Sequence, residues 1–558
     1  MVSLEAGIAR RTDASNIKWR NQSMRKSLMI VLTAAMVLAA LPAMAELQNV
    51  QVGGEIRIRA NYYSNYTYDI AGQGAPQTIH PLAGNQVIWP NFFLPRRPIG
   101  TGPFNGNGIV SSFAWDDEES NDLQFVEQRT RLNVKADFTN EVSAFIELDS
   151  YDIWGEDFRS DYITGLDNRA VTNDDVEIYQ AYIEANEMFG FPLRLRIGRQ
   201  ELSFGSEWLV GVNDTAAFSH GLSFDALRLT YANDVFSVDA FAATLFESGI
   251  NEQDGDVWFY GVYGSYLGLE DITIDAYWMM IRDGRSLNDT NFIAPIEWLE
   301  NVFALDDYDA TTLHTVGLRG AGTIGAFDFE AEAAYQMGDA DQVGFLFKPF
   351  IYGDDGADYS AWGANLELGY TFDVMWTPRV YLGGAYFDGE DERDITFIEW
   401  LNPFDRPESS VSFNRLFSNW EYSEFIENTE LSNAYVIRGG VSANPTESVE
   451  VLLAVSYYNT LEEFDAPRYF SVGGFRVPLA PALSFWTQEN DSELGTEVGL
   501  YVTYNYSEDL SFEVGWAHLF VGEGLEEGQF SALNGLGFNG GSGDDDSDYI
   551  YFETKLCF

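Results

Sequence analysis

The sequence predicts an all-β fold, a single transmembrane antiparallel β-barrel of about 18 strands. Eighteen segments alternate polar and apolar residues with a period of two, as strands with two different faces do. The connections between them alternate strictly between short and long. Aromatic residues make up 15% of the chain, with 30 Tyr, 41 Phe and 14 Trp. Short periplasmic turns, long extracellular loops and aromatic girdles are typical of outer-membrane barrels, whereas a soluble β-sandwich has no reason to alternate its loop lengths.

The strands follow from the alternation, and the turns and loops follow from the gaps between them. The predicted strands are 50–66, 123–138, 142–156, 175–188, 192–204, 221–232, 235–247, 256–267, 271–283, 312–323, 325–338, 359–372, 377–389, 431–444, 447–459, 493–506, 509–520 and 547–558. Short connections include 139–141, 233–234, 268–270, 445–446 and 507–508. Long connections include 67–122, 284–311, 390–430, 460–492 and 521–546. Because lipid offers no hydrogen bonds, we expect the last strand to close against the first.

The stretch 24–45 reads as a secretory signal peptide. Arg25 and Lys26 form a short basic region, an apolar stretch follows, and Ala-Met-Ala precedes the expected cleavage between Ala45 and Glu46. The apolar stretch is short and ends in a cleavage motif, which distinguishes it from a membrane span. We therefore expect an exported protein.

The signal peptide divides the chain into three parts. Residues 1–23 are polar and precede it, and we interpret them as an extension from a mis-assigned start. Residues 46–558 are the expected outer-membrane barrel. After Ala45 no stretch approaches the roughly 18 continuous apolar residues of a transmembrane helix.

The last predicted strand, "DYIYFETKLCF", ends on an aromatic residue. Ile550, Phe552, Thr554, Leu556 and Phe558 share one face of it. A closing strand that ends on Phe resembles the assembly signal of outer-membrane barrels, so Phe558 is the expected signal for the barrel-assembly machinery. An ordinary last strand of a soluble protein is the alternative.

Charge and cysteine content exclude several classes of protein. The chain has 31 basic and 87 acidic residues, a net charge of −56, so we expect no nucleic-acid partner. The single cysteine, Cys557, allows no intramolecular disulfide.

Alternation also assigns side chains to the lumen, which barrels of 16–18 strands leave open to water. The candidate residues of a solute or ion pathway are Arg57, Arg59, Arg129, Arg131, Lys135, Arg194, Arg196, Arg228 and Arg319, with Glu127, Glu147 and Asp149. Arginine keeps its charge and can hold a carboxylate with two parallel hydrogen bonds. These arginines either attract anionic solutes or pair with neighbouring acids to stabilise a polar lumen, and both interpretations stay open.

Acidic clusters lie in the long connections. They are "AWDDEESND" at 114–122, "YGDDGAD" at 352–358 and "GSGDDDSD" at 541–548. Solvation of the cell-surface side explains them. Calcium binding is the alternative, because carboxylates suit hard cations, but none has EF-hand spacing. We expect no other cofactor.

Four segments within 123–232 carry a family pattern: "FVEQRTRLNVKADF", "VEIYQAYIEAN", "LRLRIGRQELSFGSEWLVG" and "FDALRLTY". This part of the chain resembles the alginate-export family of outer-membrane porins. The resemblance implies a monomeric barrel with an arginine-rich constriction that passes an anionic polysaccharide. It implies that Arg129, Arg131, Arg194 and Arg196 are candidate residues of that constriction. Arg199 is a further candidate if a bulge at the neighbouring Gly198 turns its side chain inward.

We therefore expect an outer-membrane channel for anionic or sugar-type solutes that contacts membrane lipid. A smaller or neutral solute stays open, because a polyanion would approach a negative mouth. The alternatives are a surface adhesin or structural barrel that uses its acidic loops, and a barrel hydrolase. Ser219 and His220 lie near Asp214, but adjacent Ser and His side chains point in different directions in most backbones. No metal-ligand spacing occurs, and we expect no enzyme.

Overall fold

A computed structural model defines the fold. It describes the ranges 47–64, 122–139, 141–155, 176–212, 221–247, 256–284, 310–339, 357–389, 413–425, 433–461, 491–523 and 546–558. It also describes residues 409–411 and a few short two-stranded ladders in the other loops. The predicted signal peptide, its cleavage site after Ala45, the extension 1–23 and the Ser219–His220 pair lie outside the described residues, as does most of each acidic loop cluster.

Eighteen long strands form the wall. In chain order they are β1 (Asn49–Ser64), β2 (Leu123–Thr139), β3 (Val142–Ile153), β4 (Glu177–Ala185), β5 (Leu193–Gln200), β6 (Phe224–Ala232), β7 (Phe236–Phe246), β8 (Val257–Leu269), β9 (Ile272–Asp283), β10 (Thr311–Ile324), β11 (Phe327–Asp339), β12 (Ala357–Thr371), β13 (Arg379–Phe387), β14 (Ala434–Thr446), β15 (Val449–Thr460), β16 (Glu493–Asn505), β17 (Leu510–Val521) and β18 (Ser547–Cys557). Each predicted strand coincides with one of them. A 3-10 turn, Met188–Gly190, lies before β5, and among the described residues no helix is long and apolar enough to cross a membrane.

Shorter strands decorate the loops. Ser409–Val411 joins the main sheet as a nineteenth strand, parallel to β12. The two-stranded ladders are Ser160–Asp161 with Leu166–Asp167, Asp465–Pro467 with Thr487–Glu489, Tyr469–Val472 with Phe475–Pro478, and Ser531–Ala532 with Gly537–Phe538.

The wall is a closed antiparallel sheet in which sequence neighbours pair. The ring closes where β1 pairs with β18, in a register that runs from Glu55 opposite Cys557 to Ser64 opposite Asp548. The register extends to the last residue, because the Phe558 and Gly54 backbones exchange hydrogen bonds of 3.0 and 2.9 Å. The closed 18-strand barrel confirms the predicted fold class.

Among the described residues, the chain up to Asn49 and residues 137–139 at the end of β2 form a small separate unit. Within it the Gln48 N–H donates to the Asp137 carbonyl at 2.8 Å. The barrel from Val50 onward, without 137–140, is the other unit.

The tight turns have local causes in the sequence. Between β6 and β7, the Asn233 side-chain oxygen accepts hydrogen bonds from the N–H groups of Val235 and Phe236, at 2.8 and 3.0 Å. Between β16 and β17, the Ser507 hydroxyl accepts from the Leu510 N–H at 3.1 Å. Asn and Ser favour turns because their side chains replace backbone partners in this way. We call this end of the barrel the turn end, and the opposite end the loop end.

The outer face is an apolar band between two aromatic girdles. Exposed aliphatic side chains cover its middle, including Ile146, Ile183, Leu227, Leu318, Leu366, Leu382, Ile437 and Leu500. Aromatic side chains near the turn end include Phe191, Phe327, Tyr370, Phe372, Trp376, Tyr504 and Tyr506, and those near the loop end include Tyr62, Trp154, Trp278, Trp362, Tyr386, Trp516 and Phe520. This arrangement fits a wall that faces lipid at its middle and the membrane interfaces at both ends.

Candidate solute pathway

The two arginines of β1 converge on one carboxylate. Arg57 Nε and Arg59 Nε lie 2.6 and 2.7 Å from the same Glu553 oxygen, across the seam on β18. The Arg59 guanidinium also lies over the Tyr551 ring, 4.4 Å from its centroid. Both arginines share the face of β1 that carries the buried Asn61 and Tyr63, and both are paired there.

Arg129 of β2 joins a second cluster at the seam. Its Nη2 lies 2.6 Å from Glu55 Oε1, and Lys555 Nζ lies 3.1 Å from the other oxygen of that carboxylate. Glu127, two residues earlier, accepts a hydrogen bond from the Tyr151 hydroxyl at 2.8 Å. The carboxylates of β1 and β2 are therefore held by groups from neighbouring strands.

Arg131 brings together two further predicted residues. Its Nε lies 3.3 Å from Asp149 Oδ2 and 3.8 Å from Glu147 Oε1. Its guanidinium stacks on Tyr179 at 4.1 Å. Tyr179 in turn donates to Glu201 at 2.8 Å, so this cluster also contacts the chain that follows β5.

Arg194 and Arg196 extend the pattern on β5. Arg196 Nη2 and Nε reach Glu184 Oε2 at 2.7 and 3.0 Å, and the guanidinium stacks on Tyr182 at 4.2 Å. Arg194 Nη2 donates to the Thr230 hydroxyl at 3.3 Å.

Arg228 and Arg319 are paired in the same way. Arg228 Nε lies 2.7 Å from Asp239 Oδ1. Arg319 Nη1 lies 2.8 Å from Asp275 Oδ2, and its Nε lies 3.0 Å from Glu330 Oε1.

One further predicted residue and one arginine outside the predicted set lie on the same face of the wall. Lys135 lies on the inward face of β2 and is partly buried. Arg379 of β13 was missed by the sequence analysis, yet it contacts Asp328 at 2.5 Å and Glu367 at 2.7 Å. Its inward parity in "RVYLGGAYF" is a signal that could have found it.

Together these arginines form what we call the polar belt, around the middle and the turn end of the lumen. Its members are Arg57, Arg59, Arg129, Arg131, Arg196, Arg228, Arg319 and Arg379, each within 4 Å of a carboxylate. Summed over the whole belt, little positive charge is therefore left unbalanced.

Arg199 lies on the outer face, which corrects the expectation of an inward turn. It is 47% exposed and makes a two-pronged ion pair with Asp225 at 2.9 and 3.0 Å. The register of β5 against β4 and β6 runs without a shift through Gly198, so no bulge interrupts the alternation. The glycine is needed for another reason, since a Cβ there would lie 2.3 Å from the Ala181 carbonyl oxygen.

Two loop segments enter the lumen near the loop end, and the sequence analysis did not foresee them. Inserted segment 1 is 201–212, after β5, and inserted segment 2 is 413–425, before β14. They pair side by side as a short parallel ladder. The Phe417 N–H donates to the Leu209 carbonyl and the Gly211 N–H donates to the Phe417 carbonyl, both at 2.8 Å.

Trp208 is the centre of the inserted pair. It is 0% exposed, and its ring stacks between Phe387 of β13 and Phe413, each centroid 5.9 Å away. Its indole N–H donates to the Tyr422 hydroxyl at 3.0 Å. A buried indole that satisfies its one donor fixes both segments against the wall.

The inserted segments share one apolar cluster with inward side chains from most of the wall. Its members from the wall include Tyr63, Phe224, Phe241, Phe259, Met279, Leu313, Ala361, Phe387, Val436, Tyr458, Leu519 and Tyr549, and those from the segments include Leu202, Phe204, Trp208, Val210, Phe413, Tyr422 and Phe425. A continuous apolar layer thus crosses the lumen near the loop end.

Polar side chains of the wall hold the backbone of inserted segment 2. Gln336 of β11 accepts from the Asn414 N–H at 2.7 Å and donates to its carbonyl at 2.6 Å, as a strand neighbour would. Ser456 donates to the Tyr422 carbonyl at 2.8 Å, and the Tyr422 hydroxyl donates to Asn365 at 3.1 Å.

The far end of inserted segment 2 rests on a carboxylate. Glu497 of β16 accepts the Glu424 N–H at 2.9 Å and the Phe425 N–H at 3.0 Å. The Phe425 ring packs edge-on against Tyr63 of β1 and Tyr549 of β18, at 6.2 and 6.5 Å. We call this contact the Glu497 clamp.

A cavity of about 290 Å³ lies below the clamp, toward the turn end. Its polar lining includes Glu421, Glu424, Arg438, Glu450, Glu497, Tyr501, Glu513 and Tyr551. Burial raises the pKa of the Glu424 carboxyl above its ordinary value, and the positive charge of Arg59 opposes that shift.

Comparison with known families decides what the barrel is. The model of one protein family, described as alginate export, matches residues 112–539. The chain belongs to the alginate export family. It is an outer-membrane channel, located in the bacterial outer membrane, and its turn end is periplasmic and its loop end extracellular.

Solved structures with similar folds come from several bacteria. OpdQ of Pseudomonas aeruginosa is 9% identical, with a TM-score of 0.44, over 92% of this chain and 99% of that one. OccAB3 of Acinetobacter baumannii is 9% identical, with a TM-score of 0.44, over 91% and 100%. OmpT, an outer membrane protein of Vibrio cholerae, is 9% identical, with a TM-score of 0.33, over 92% and 100%. No curated protein matches the chain.

In this alginate export family member the lumen has two parts. The two inserted segments, which we call the plug, lie on the extracellular side, and the polar belt lies on the periplasmic side. The sequence carried a signal for the plug that alternation does not read. The stretch "FNRLFSNWEYSEF" has five aromatic residues although it lies in the long connection 390–430, and "ELSFGSEWLV" carries Phe204 and Trp208 at the end of a predicted strand and beyond it. Apolar side chains in such loops are typical of segments that are buried in the lumen.

Proposed function

We propose that the channel passes sugar-type solutes along the polar belt. The observation that carries this proposal is the repeated unit of an arginine, a carboxylate and an aromatic ring. Arg59 with Glu553 and Tyr551 is one such unit, and Arg196 with Glu184 and Tyr182 is another. Guanidinium groups donate to hydroxyls, carboxylates accept from them, and the rings offer apolar faces.

The pairing of the belt supports hydroxyl-rich solutes over highly charged ones. A polyanion gains from a guanidinium only after displacing the carboxylate that already holds it. A hydroxyl can bind both partners of an ion pair without separating them. Neutral sugars and sparsely charged, alginate-like oligosaccharides are thus the proposed solute class.

The proposed pathway keeps the residues that alternation selected for the lumen. They are Arg57, Arg59, Arg129, Arg131, Lys135, Arg194, Arg196, Arg228 and Arg319, with Glu127, Glu147 and Asp149, and Arg379 joins them. Arg199 is left out because its side chain lies on the outer face.

Oligosaccharide block of single channels tests the proposal. The barrel 46–558 is reconstituted in a planar bilayer, and open events are recorded with neutral or uronate oligosaccharides of equal length. Both are expected to interrupt the current, and Arg196→Gln is expected to weaken both blocks. Arg199→Gln, on the outer face, is the matched control and should leave them unchanged. Block by the uronate alone would replace the proposal with a polyanion channel, and block by neither would end it.

Catalysis, oligomeric state, assembly and calcium binding are supported by fewer observations than solute passage. A channel family gives no reason to expect catalysis, and we propose that the barrel has none. Hydrolysis by the purified protein that is lost in His220→Ala would contradict this. A monomer, insertion by the barrel-assembly machinery, and calcium on the acidic loops stay predictions.

A further inference from the structure

Inserted segment 2 spans the lumen from one wall to the other. It starts at Gln336 on β11 and ends with Phe425 between β1 and β18. Those strands lie far apart around the ring. With inserted segment 1 beside it, the segment occupies part of the lumen, so its release would widen the path for a solute or ion.

The two ends of the segment are held by different chemistry. The Gln336 end is a neutral amide pair, which pH does not alter. The Phe425 end is the Glu497 clamp, in which a carboxylate accepts two backbone N–H groups. Hydrogen bonds to an ionised acceptor are about twice as strong as neutral ones. The clamp is therefore the end of the segment that charge controls.

The groups around the clamp are mostly acidic. Glu424 sits on the segment next to the Glu497 carboxylate, and Glu421, Glu450 and Glu513 line the same cavity. The opposing positive groups are Arg438, whose Nη1 donates to the Glu421 carbonyl at 3.2 Å, and Arg59, which Glu553 already holds. Tyr422, Tyr501 and Tyr551 complete the lining. Arg57, the other cation near the Glu424 carboxyl, is also held by Glu553, and the Tyr501 hydroxyl hydrogen-bonds that carboxyl. A second negative charge beside Glu497 therefore gains little from either arginine.

We propose that inserted segment 2 is a pH-controlled gate: ionisation of Glu424 next to Glu497 releases the Phe425 end and opens the lumen. While either carboxyl of the Glu424–Glu497 pair keeps its proton, the clamp holds a single charge, and the N–H groups of 424 and 425 donate to Glu497. Deprotonation places two carboxylates side by side in a narrow, partly dry space, where their repulsion is weakly screened. The segment relieves that repulsion by leaving the clamp.

The direction of the pH effect follows from linkage. Burial raises the pKa of Glu424 in the closed state, relative to the same carboxyl in a released, hydrated segment. The closed state therefore binds the proton more tightly. Its stabilisation is complete below the ordinary glutamate pKa and is lost as the pH rises through the raised value. The open fraction must increase with pH, by at most about tenfold per pH unit for one proton.

Potassium chloride conductance of the barrel 46–558 in planar bilayers, recorded between pH 4.5 and pH 9 in a buffered series, tests the gate without any sugar. The wild-type open probability should rise with pH. Glu424→Gln should stay closed over the whole range, because it cannot ionise. Glu497→Gln should open more at every pH, since it weakens the clamp. Asp225→Asn, which neutralises a carboxylate on the outer face, is the control and should follow the wild type.

A second readout follows the segment itself. Ser423→Cys, in a Cys557→Ser background, places one thiol on inserted segment 2. Its labelling by a membrane-impermeant reagent should accelerate over the same pH range as the conductance, and adding Glu424→Gln should abolish the acceleration. Unchanged pH dependence of the conductance in Glu424→Gln overturns the proposal. Labelling that rises while conductance stays constant overturns it too, because the segment then moves without gating. Since no solute is used, failure here is separate from failure of the sugar proposal.

Discussion

At the scale of single residues, the lumen is governed by which carboxylate each arginine meets. Arg57 and Arg59 share one oxygen of Glu553, although nearly the whole chain separates them from it. Two cations on one anion leave a local excess of positive charge at the seam. A short distance away, the carboxylates that line the cavity give the lumen a local excess of negative charge instead. Selectivity therefore depends on a small difference between large opposing charges.

Glu553→Gln should shift the selectivity of the open channel toward anions. The substitution removes the carboxylate that both arginines contact, so the positive potential at the seam increases. Reversal potentials in a potassium chloride gradient measure the change. Asp225→Asn, which removes the partner of Arg199 on the outer face, should not alter them. An unchanged reversal potential in Glu553→Gln would show that the seam lies off the ion path.

Gly54→Ala should impair closure of the ring. A Cβ at this position would lie 2.5 Å from the Arg131 carbonyl oxygen and 2.7 Å from the Phe558 ring. To avoid these contacts the β1 backbone must move away from its partners and disturb the pairing at the seam. Overpacking of this kind commonly lowers the free energy of unfolding by about 1–3 kcal/mol. The folded fraction after refolding, read from heat-modified mobility in gels, should fall. Gly264→Ala, where the nearest atom would be 3.7 Å away, should refold like the wild type.

At the scale of elements, the inserted segments and the strands obey different rules. A strand of the wall keeps its place through backbone ladders on both sides. The inserted segments share only a short backbone pairing with each other, and side chains make most of their contacts with the wall. Gln336 stands in for a missing strand neighbour of Asn414, and Trp208 joins both segments to β13. The plug can therefore loosen while the wall stays intact.

Trp208→Ala should loosen the plug and spare the wall. Removing a buried Trp side chain costs about 3–5 kcal/mol where the site cannot collapse. Here the loss falls on the inserted pair, because Trp208 contributes nothing to the ladders of the strands. We expect a higher open probability at every pH with unchanged heat-modified mobility. Loss of the folded barrel would instead show that the plug is needed for assembly.

The strands of the wall could be predicted from the sequence, but the plug and the ion pairs of the arginines could not, and the reason is physical. Alternation is a local property, so β1 to β18 could be read within a few residues of their observed bounds. The partner of Arg57 depends on the register at the seam, which no local pattern contains. The burial of Trp208 depends on Phe387 and Phe413, which come from distant parts of the chain. Arg199 was misplaced because a glycine was taken for a bulge, when it only allows close approach of β4.

At the scale of the whole molecule, net charge acts on whatever the open gate admits. A chain with a charge of −56 surrounds the lumen with a negative potential whose range is set by salt. The Debye length is about 30 Å at 0.01 M and about 3 Å at 1 M. In dilute solution the acidic loops therefore contribute to the electrostatic potential in the lumen. In concentrated solution that potential is set by the paired charges of the wall alone.

Ion selectivity should consequently depend on ionic strength. At low salt, the negative potential should concentrate cations, and the open channel should prefer them. Near 1 M salt that preference should shrink toward the value set by the polar belt. Reversal potentials at a fixed concentration ratio and increasing absolute concentration measure this. A preference independent of salt would place the selective charges inside the lumen and not on the loops.

The seam between β1 and β18 also constrains the order of assembly. Its paired residues, such as Arg59 and Glu553, are separated by 494 positions, so closing it incurs the largest loop-closure entropy of any strand pair in the barrel. Neighbouring strands can zip together earlier. The sheet must then persist for a time with two bare edges, whose unpaired N–H and C=O groups invite strands of other chains. Until the two ends meet, whatever shelters those edges decides between a closed ring and an aggregate.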